Sequence, residues 1–468
     1  VVTLFGEFRG ALRLSERKVL LAMGDLLCLN LALLAVLHRR LGFPFGVATV
    51  LNRPGWFVLL SLTWAVAAVL TEAYDLRAAA RLPGAVLRAW TAVLLADVLY
   101  LAIPYWTPYL LPSRLTVLML AALTLGGVGL WRLLYAVVFV QPSFRHPVVV
   151  LGAGPLGREI LDIMRRHGDT EYMPVGFVDD IPSPGRLVDG LPVLGRRAEL
   201  VSVLERTRAS EVVVALPPSE GAGGQLFQTL VDCAERGVTV TPMYRIFEAL
   251  TGQVPVEHAG RNLAVVLPLD RTPPALFDTL KRATDIVLGL VGLAVMALVA
   301  PLAVAAVWLE SPGPIFYRQR RVGQGGREFE LVKFRTMVAA AEAEGPRWTA
   351  VGDPRVTRIG RLLRRLHLDE LPQALNILRG EMSVVGPRPE RPEFIAELER
   401  VIPFYRMRLS VRPGVTGWAQ VNYRYGDSVE DALVKLRYDL YYIKHRSVLL
   451  DLTILARTFP HVFRLAGR

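Results

Sequence analysis

The run LDELPQALNILRGEMSVVGPRP, Leu368 to Pro389, sets two adjacent carboxylates, Asp369 and Glu370, among arginines and two turns stiffened by proline and glycine. Pro372 lacks an N–H and is tolerated only in a helix's first turn, so a new helix is expected to begin here. Asp369 then falls at the N-cap with Glu370 just inside. Leu371, Leu375 and Leu378 form an apolar stripe, and Gly380 is the natural stop. Unpaired N–H groups and partial positive charge at such a helix start favour an ionised Asp369 and attract phosphate. Arg364 and Arg365 precede the carboxylates, and Arg388 lies between two prolines that restrict its backbone. An arginine held in this way is suited to gripping a phosphate through two parallel hydrogen bonds. For an isolated Asp-Glu pair the simpler reading is a solvated N-cap, so the surroundings decide.

Those surroundings are apolar and basic. A chain of 468 residues has room for several cores, and 52% hydrophobic residues with a mean hydropathy of +0.37 imply membrane segments. The 54 Lys+Arg against 42 Asp+Glu leave a net +12. Beside such apolar segments, that charge points to anionic headgroups and phosphorylated substrates, and no nucleic-acid partner is expected. Cys28 and Cys233 have neither paired nor metal-type spacing and read as small apolar residues. No cleavable signal is expected, because the first apolar run lacks a small-residue cleavage site.

Four apolar runs, roughly Val19 to Leu37, Trp56 to Leu70, Val86 to Ile103 and Leu115 to Val138, approach the ~20 residues that a bilayer helix needs. They predict a four-helix transmembrane domain over residues 1–140. Asp25 and Asp97 fall within the spans and are expected to face other helices. Arginines around the second loop and at both ends of the set place those ends in the cytoplasm, although Arg39, Arg40 and Arg53 oppose this. Over residues 145–250 the pattern is that of a Rossmann-like α/β domain. Val148 to Leu151 forms a strand, Gly152, Gly154 and Gly157 supply GxGxxG, and a second strand ends at Asp179-Asp180. Val212 to Leu216 and Val238 to Thr241 read as further parallel strands. These glycines and Asp179 are candidate cofactor contacts, but GxGxxG also serves as a tight strand-to-helix turn, so a bound nucleotide stays open. Residues 251–278 read as a proline-punctuated linker.

The last domain, residues 279–468, is expected to be mixed α/β. Ile286 to Trp308 is an apolar segment interrupted at Ala300-Pro301, with Lys281-Arg282 before it and Arg318, Arg320 and Arg321 after it. A crossing would leave one basic cluster outside, so a re-entrant helix over 285–309 that bends at Pro301 is predicted. Ile315 to Arg321 and Phe329 to Phe334 read as a hairpin, and Pro392 to Ile402 as a helix. Leu433 to Ile443 and Leu449 to Phe463 read as amphipathic helices suited to the headgroup region.

Three ordered motifs, KFRTM (Lys333 to Met337), the Leu368 to Pro389 run and VRPGVTGWAQVN (Val411 to Asn422), resemble a known family. It is the bacterial sugar transferases: polyprenol-phosphate hexose-1-phosphate transferases, monotopic phosphoglycosyltransferases that initiate exopolysaccharide and O-antigen synthesis. The resemblance covers Lys281 to the C-terminus. It implies transfer of a sugar 1-phosphate from a UDP-sugar to undecaprenyl phosphate, with UMP released, at the cytoplasmic face of the bacterial inner membrane and in contact with membrane lipid. It further implies Asp369 as nucleophile and Mg²⁺ ligand, Glu370 as assistant in the acceptor step, and Arg364, Arg388 and Arg424 as phosphate contacts. A homo-oligomer is expected on family grounds. The family more often has glycine where Tyr423 stands, and Ser-Pro where Ala300-Pro301 stands. Which sugar is carried is left open.

Two rival readings come from other classes. Membrane-bound nucleotide-sugar dehydratases have a similar front half, but their chemistry needs a Tyr and a Lys at YxxxK spacing, and there is no lysine from His146 to Leu250. A non-catalytic Rossmann sensor or scaffold would not require the intact Asp-Glu pair and GPRP turn.

Overall fold

The computed structural model describes residues 14–74, 82–103, 105–110, 113–139, 146–167, 172–181, 183–217, 224–258, 263–266, 275–338, 341, 353–423 and 428–463. Apart from Pro217–Glu220, which belongs with the second, the first of two compact units ends at Met243 and the second begins at Tyr244.

In the first unit, the apolar runs form helices Leu14–Leu41, Pro54–Leu70, Leu82–Leu101 and Arg114–Phe139. They bury a shared core that includes Leu33, Trp64, Val93 and Leu120. Among the described residues Val19–Leu41 and Arg114–Val137 are long and apolar enough to cross a membrane, as is Leu276–Glu310 in the second unit, while Pro54–Leu70 is shorter. Asp25 and Asp97, the acidic residues within the apolar runs, face other helices, as expected. Asp25 accepts from Arg132 Nε and Nη2 at 3.1 and 2.6 Å, and Asp97 Oδ2 accepts from the Thr124 hydroxyl at 2.8 Å. Arg132 also donates to the Ala73 carbonyl at 2.6 Å and lies over the Tyr74 ring. Both members of the Asp25–Arg132 pair are almost fully buried, so removing either alone would cost about 3–5 kcal/mol.

The same unit carries a six-stranded sheet in the order β3-β4-β2-β1-β5-β6. Its strands are β1 (His146–Leu151), β2 (Tyr172–Val178), β3 (Leu187–Val188), β4 (Leu191–Gly195), β5 (Glu211–Val214) and β6 (Thr239–Pro242). All neighbours are parallel except β3 with β4. The glycine turn after β1 is required sterically. Gly152 has φ +108°, and a Cβ there would lie 2.6 Å from the Ala215 carbonyl oxygen. One on Gly157 would lie 1.9 Å from the Gly152 oxygen.

The second unit differs from the expected boundaries. Met243–Thr251 follows β6 directly, and its Glu248 is buried against Lys444 and His445 at 2.7 and 3.0 Å. Val254, Val256, Val265 and Val266 are buried in one core with Leu398, Leu436 and Leu440. The described part of 251–278 is therefore packed structure rather than a linker. Proline punctuation signalled irregular backbone correctly, but irregular backbone need not be exposed. Helix Val429–His445 buries Leu436, Asp439, Leu440 and Tyr442 on its inward face.

The apolar segment forms one helix, Ala275–Glu310, that continues through Pro301. Ala300 before the proline and Ala303, Val304 and Val307 after it pack in one core with Phe334, Leu363 and Leu368. The helix is unbroken at Ala300-Pro301, and this packing flanks the proline on both sides. At ~1.5 Å per residue the helix is ~54 Å long. The cations Lys281 and Arg282 at its start are committed within the protein. Lys281 Nζ donates to Asp451 Oδ2 at 2.7 Å, and Arg282 caps the carbonyls of Ile377 and Leu378 at 2.7 and 2.8 Å. At the other end, Glu310 accepts from the backbone N–H groups of Arg358 and Ile359 at 2.6 and 2.7 Å. The opposite face exposes Leu290, Leu298, Leu302 and Leu309.

Candidate active site

Strands β7 (Phe316–Val322) and β8 (Glu328–Phe334) form the expected antiparallel hairpin, closed through Gly325 and Gly326, both at positive φ. Along β8 and just beyond it, Phe334 points into the apolar core, Lys333 faces the carboxylates, Arg335 donates to the Ser311 carbonyl, and Thr336 meets Arg364. Helix Arg358–Arg365 is capped by the Thr357 hydroxyl, which accepts from Gly360 N. Gly360 lets this helix sit hard against the chain, since a Cβ there would lie 2.0 Å from the Thr336 oxygen. Arg364 is thereby brought to Thr336, donating from Nε to Oγ1 at 2.9 Å. Among the described residues no hydrogen bond uses its two terminal nitrogens.

The chain then turns through His367 at φ +55° into a 3-10 turn, Leu368–Gln373, followed by the short helix Ala374–Arg379. Asp369 is thus the second residue of a 3-10 turn, not the N-cap of an α-helix. Pro372 is compatible with either start, and its sequence position alone does not separate them. Gly380 closes the helix at φ +81°, as expected.

Asp369 and Glu370 are chemically distinct. Glu370 Oε1 accepts from Lys333 Nζ at 2.9 Å and from Arg388 Nη2 at 3.0 Å. Asp369 is 8% exposed and has no hydrogen-bond partner among the described residues. Burial opposes ionisation of Glu370, but Lys333 and then Arg388 outweigh it and hold this carboxyl well below the usual range. Burial, then the adjacent Glu370 charge, pushes the Asp369 carboxyl up, against the pull of Lys333, Arg364 and Arg388. Lys333 is itself depressed by burial, which Glu370 partly offsets. The result is one committed carboxylate beside one uncommitted carboxylate, within the field of three cations.

Arg388 is delivered by the loop after β9 (Ser383–Val385), which pairs in parallel with β10 (Gly414–Thr416). Gly386, Gly414 and Gly417 allow the backbones to touch, because a Cβ on Gly414 would lie 2.1 Å from Gly386 N and one on Gly417 2.2 Å from Gly386 O. The third motif is therefore the bed on which the Arg388 loop rests. Asp369, Glu370, Arg364 and Arg388 converge in this structure, whereas Arg424 lies outside the described residues. Lys333 was missed as a site residue, although a lone charge inside the short apolar strand Leu331-Val332-Lys333-Phe334 was a readable signal.

In the first unit, the glycines occupy the strand-to-helix turn, but Asp179 is turned inward. It accepts from Ala153 N at 2.8 Å, from Asp180 N at 2.8 Å, and from Arg197 Nε and Nη2 at 3.0 and 2.8 Å. Three of these bonds fall on Oδ1 and one on Oδ2, so the carboxylate is largely committed within the protein, and a ribose hydroxyl would have to compete with Ala153 N for Oδ2 or displace Arg197 from Oδ1.

The chain matches the family described as bacterial sugar transferase over residues 276–465, and a CoA-binding domain family over residues 69–241. It is 39% identical over 368 residues to the UDP-glucose:undecaprenyl-phosphate glucose-1-phosphate transferase of Xanthomonas campestris pv. campestris, covering 72% of this chain and 74% of that one. The Escherichia coli (strain K12) protein of the same name is 33% identical over 318 residues, 67% of each. The UDP-N-acetylgalactosamine-undecaprenyl-phosphate N-acetylgalactosaminephosphotransferase of Aeromonas hydrophila is 38% identical over 248 residues, which span 53% of this chain and 58% of that relative.

Proposed function

Because this chain belongs to the bacterial sugar transferase family, we propose that it transfers a hexose 1-phosphate from a UDP-sugar to undecaprenyl phosphate, the opening membrane step of a polysaccharide. The observation that carries the reading is the asymmetric pair, with Glu370 held by Lys333 and Arg388 while buried Asp369 has no hydrogen-bond partner among the described residues. A carboxylate is a weak nucleophile and needs positioning with electrostatic help to approach a phosphate. An Asp369 oxygen attacks the β-phosphorus, the P–O bond to the α-phosphate breaks, and UMP leaves. A phosphate oxygen of undecaprenyl phosphate then attacks the same phosphorus and the bond to Asp369 breaks, giving the diphosphate-linked sugar. Arg364 and Arg388 grip the phosphates, as would Arg424, and Glu370 takes part in the acceptor step.

Mg²⁺ fits this donor set. It takes one or two carboxylates together with substrate phosphates, and Asp369 is the uncommitted carboxylate here. When bound it would neutralise phosphate charge. The Rossmann-like domain is read as structural or regulatory, with the Asp179 carboxylate of its candidate nucleotide site at Gly152, Gly154, Gly157 and Asp179 already engaged by Ala153 N and Arg197. We place the chain in the bacterial inner membrane through a four-helix bundle, with the catalytic unit on the cytoplasmic face, and expect a homo-oligomer. Incubation with a panel of UDP-sugars and undecaprenyl phosphate should release UMP from at least one donor. Release from none would refute the assignment.

The Ala275–Glu310 helix is proposed to enter the membrane from the cytoplasmic side without crossing it. Support comes from its ends, since Lys281, Arg282 and Glu310 all bond to the same unit, while a straight crossing of the ~30 Å hydrocarbon core would carry one end away. Cysteines introduced near Asp278 and near Arg318 should both resist a membrane-impermeant thiol reagent in intact cells. Labelling at one of the two positions would show a crossing helix.

A further inference from the structure

The loop carrying Arg388 contains two prolines that cannot donate backbone hydrogen bonds, yet the four successive carbonyls from Pro387 to Glu390 are held from outside. Pro387 O accepts from Gly414 N at 2.9 Å, Arg388 O from Arg408 Nη2 at 3.0 Å, Pro389 O from Arg321 Nη1 at 2.9 Å and Glu390 O from Val322 N at 3.0 Å. Two of the four donors are arginine side chains. Arg408 is 5% exposed and also donates to Asp439 Oδ2 at 2.9 Å and to the Tyr405 hydroxyl at 2.8 Å. Asp439 is 1% exposed, on the buried face of helix Val429–His445.

Holding one backbone carbonyl with a buried, ion-paired guanidinium is an expensive arrangement unless the position it fixes matters, since two charges must be desolvated. We infer that Arg408 is a positioning residue for sugar-phosphate transfer, fixing the backbone from which Arg388 reaches Glu370 and the substrate phosphate. Arg321 is the second arm of the same clamp, from β7. The inference rests on the transferase reading above. The planar fork of arginine reaches Asp439, Tyr405 and the Arg388 carbonyl together, which the single ammonium of lysine cannot.

The test is a double-mutant cycle on the full-length purified chain with undecaprenyl phosphate and UDP-glucose or UDP-N-acetylgalactosamine, following UMP release. Arg408→Lys should lower kcat/KM roughly tenfold when Arg388 is present and less than about twofold in an Arg388→Ala background, because groups that act through one another are not additive. Equal fractional losses in both backgrounds would show a general structural role and overturn the positioning role alone. If the unsubstituted chain releases UMP with neither donor, the panel of UDP-sugars is used, and no release from any of them would overturn the transferase reading beneath it. Should Arg408→Lys not fold, Arg321→Lys carries the same test. It should lose activity with Arg388 present and little without it, and a loss independent of Arg388 would overturn the proposal.

Discussion

Asp369→Asn is expected to lower UMP release by ~10⁴-fold or more, the scale on which loss of a covalent nucleophile is felt. The amide preserves size and cannot displace UMP from the β-phosphorus. Because Asp369 has no hydrogen-bond partner among the described residues, the substitution breaks no structural bond, and the fold and thermal stability should be retained. That separates it from Glu370→Gln, which weakens two ion pairs, with Lys333 and Arg388, and is expected to keep some formation of the intermediate. UMP release by Asp369→Asn within about tenfold of the unsubstituted chain would remove Asp369 as nucleophile.

Arg388→Ala comes second in size. It deletes one of the two cations on Glu370 and one phosphate grip, and removing a single preorganised donor to developing charge commonly costs about 10²–10³-fold in rate. Arg388→Lys should recover part of this, since it restores the charge without the two parallel hydrogen bonds. The measurement is kcat/KM for UMP release at saturating undecaprenyl phosphate. Equal activity for the Ala and Lys variants would argue that Arg388 meets no phosphate.

The local features of this chain were legible because short-range chemistry writes them. The β7–β8 hairpin follows from its glycine turn, the parallel β1, β2, β5 and β6 from short apolar runs spaced by helices, and the stop at Gly380 from its freedom at positive φ. The start of the Asp369 segment was misread because Pro372 satisfies an α-helical first turn and a 3-10 turn equally well. The supposed linker was misread because Val254, Val256, Val265 and Val266 show no periodicity, and their burial depends on partners more than a hundred residues away, such as Leu398 and Leu436.

Within the site, the acids and the arginine loop were readable, but their division of labour was not. It is set by Lys333, which lies 37 positions before Glu370 in the chain. Arg408 was less visible still. In sequence it is one more arginine of a basic chain, and its role appears only when the fold sets it between Asp439 and the Arg388 carbonyl. The charges flanking the Ala275–Glu310 helix were read as topological signals, and they are also structural ones. Lys281 and Arg282 are bonded inside the protein, so their value as markers of membrane orientation is shared with a packing role.

Covalent capture on Asp369 is open to one direct observation. The purified chain is mixed with a turned-over UDP-sugar in the absence of undecaprenyl phosphate, and both released UMP and intact protein mass are followed. One equivalent of UMP per chain should appear in a burst, the protein should gain the mass of a hexose phosphate on the peptide containing Asp369, and undecaprenyl phosphate added afterwards should discharge it. UMP release that waits for undecaprenyl phosphate, with no gain in protein mass, would mean direct transfer between the two substrates and would contradict the role given to Asp369.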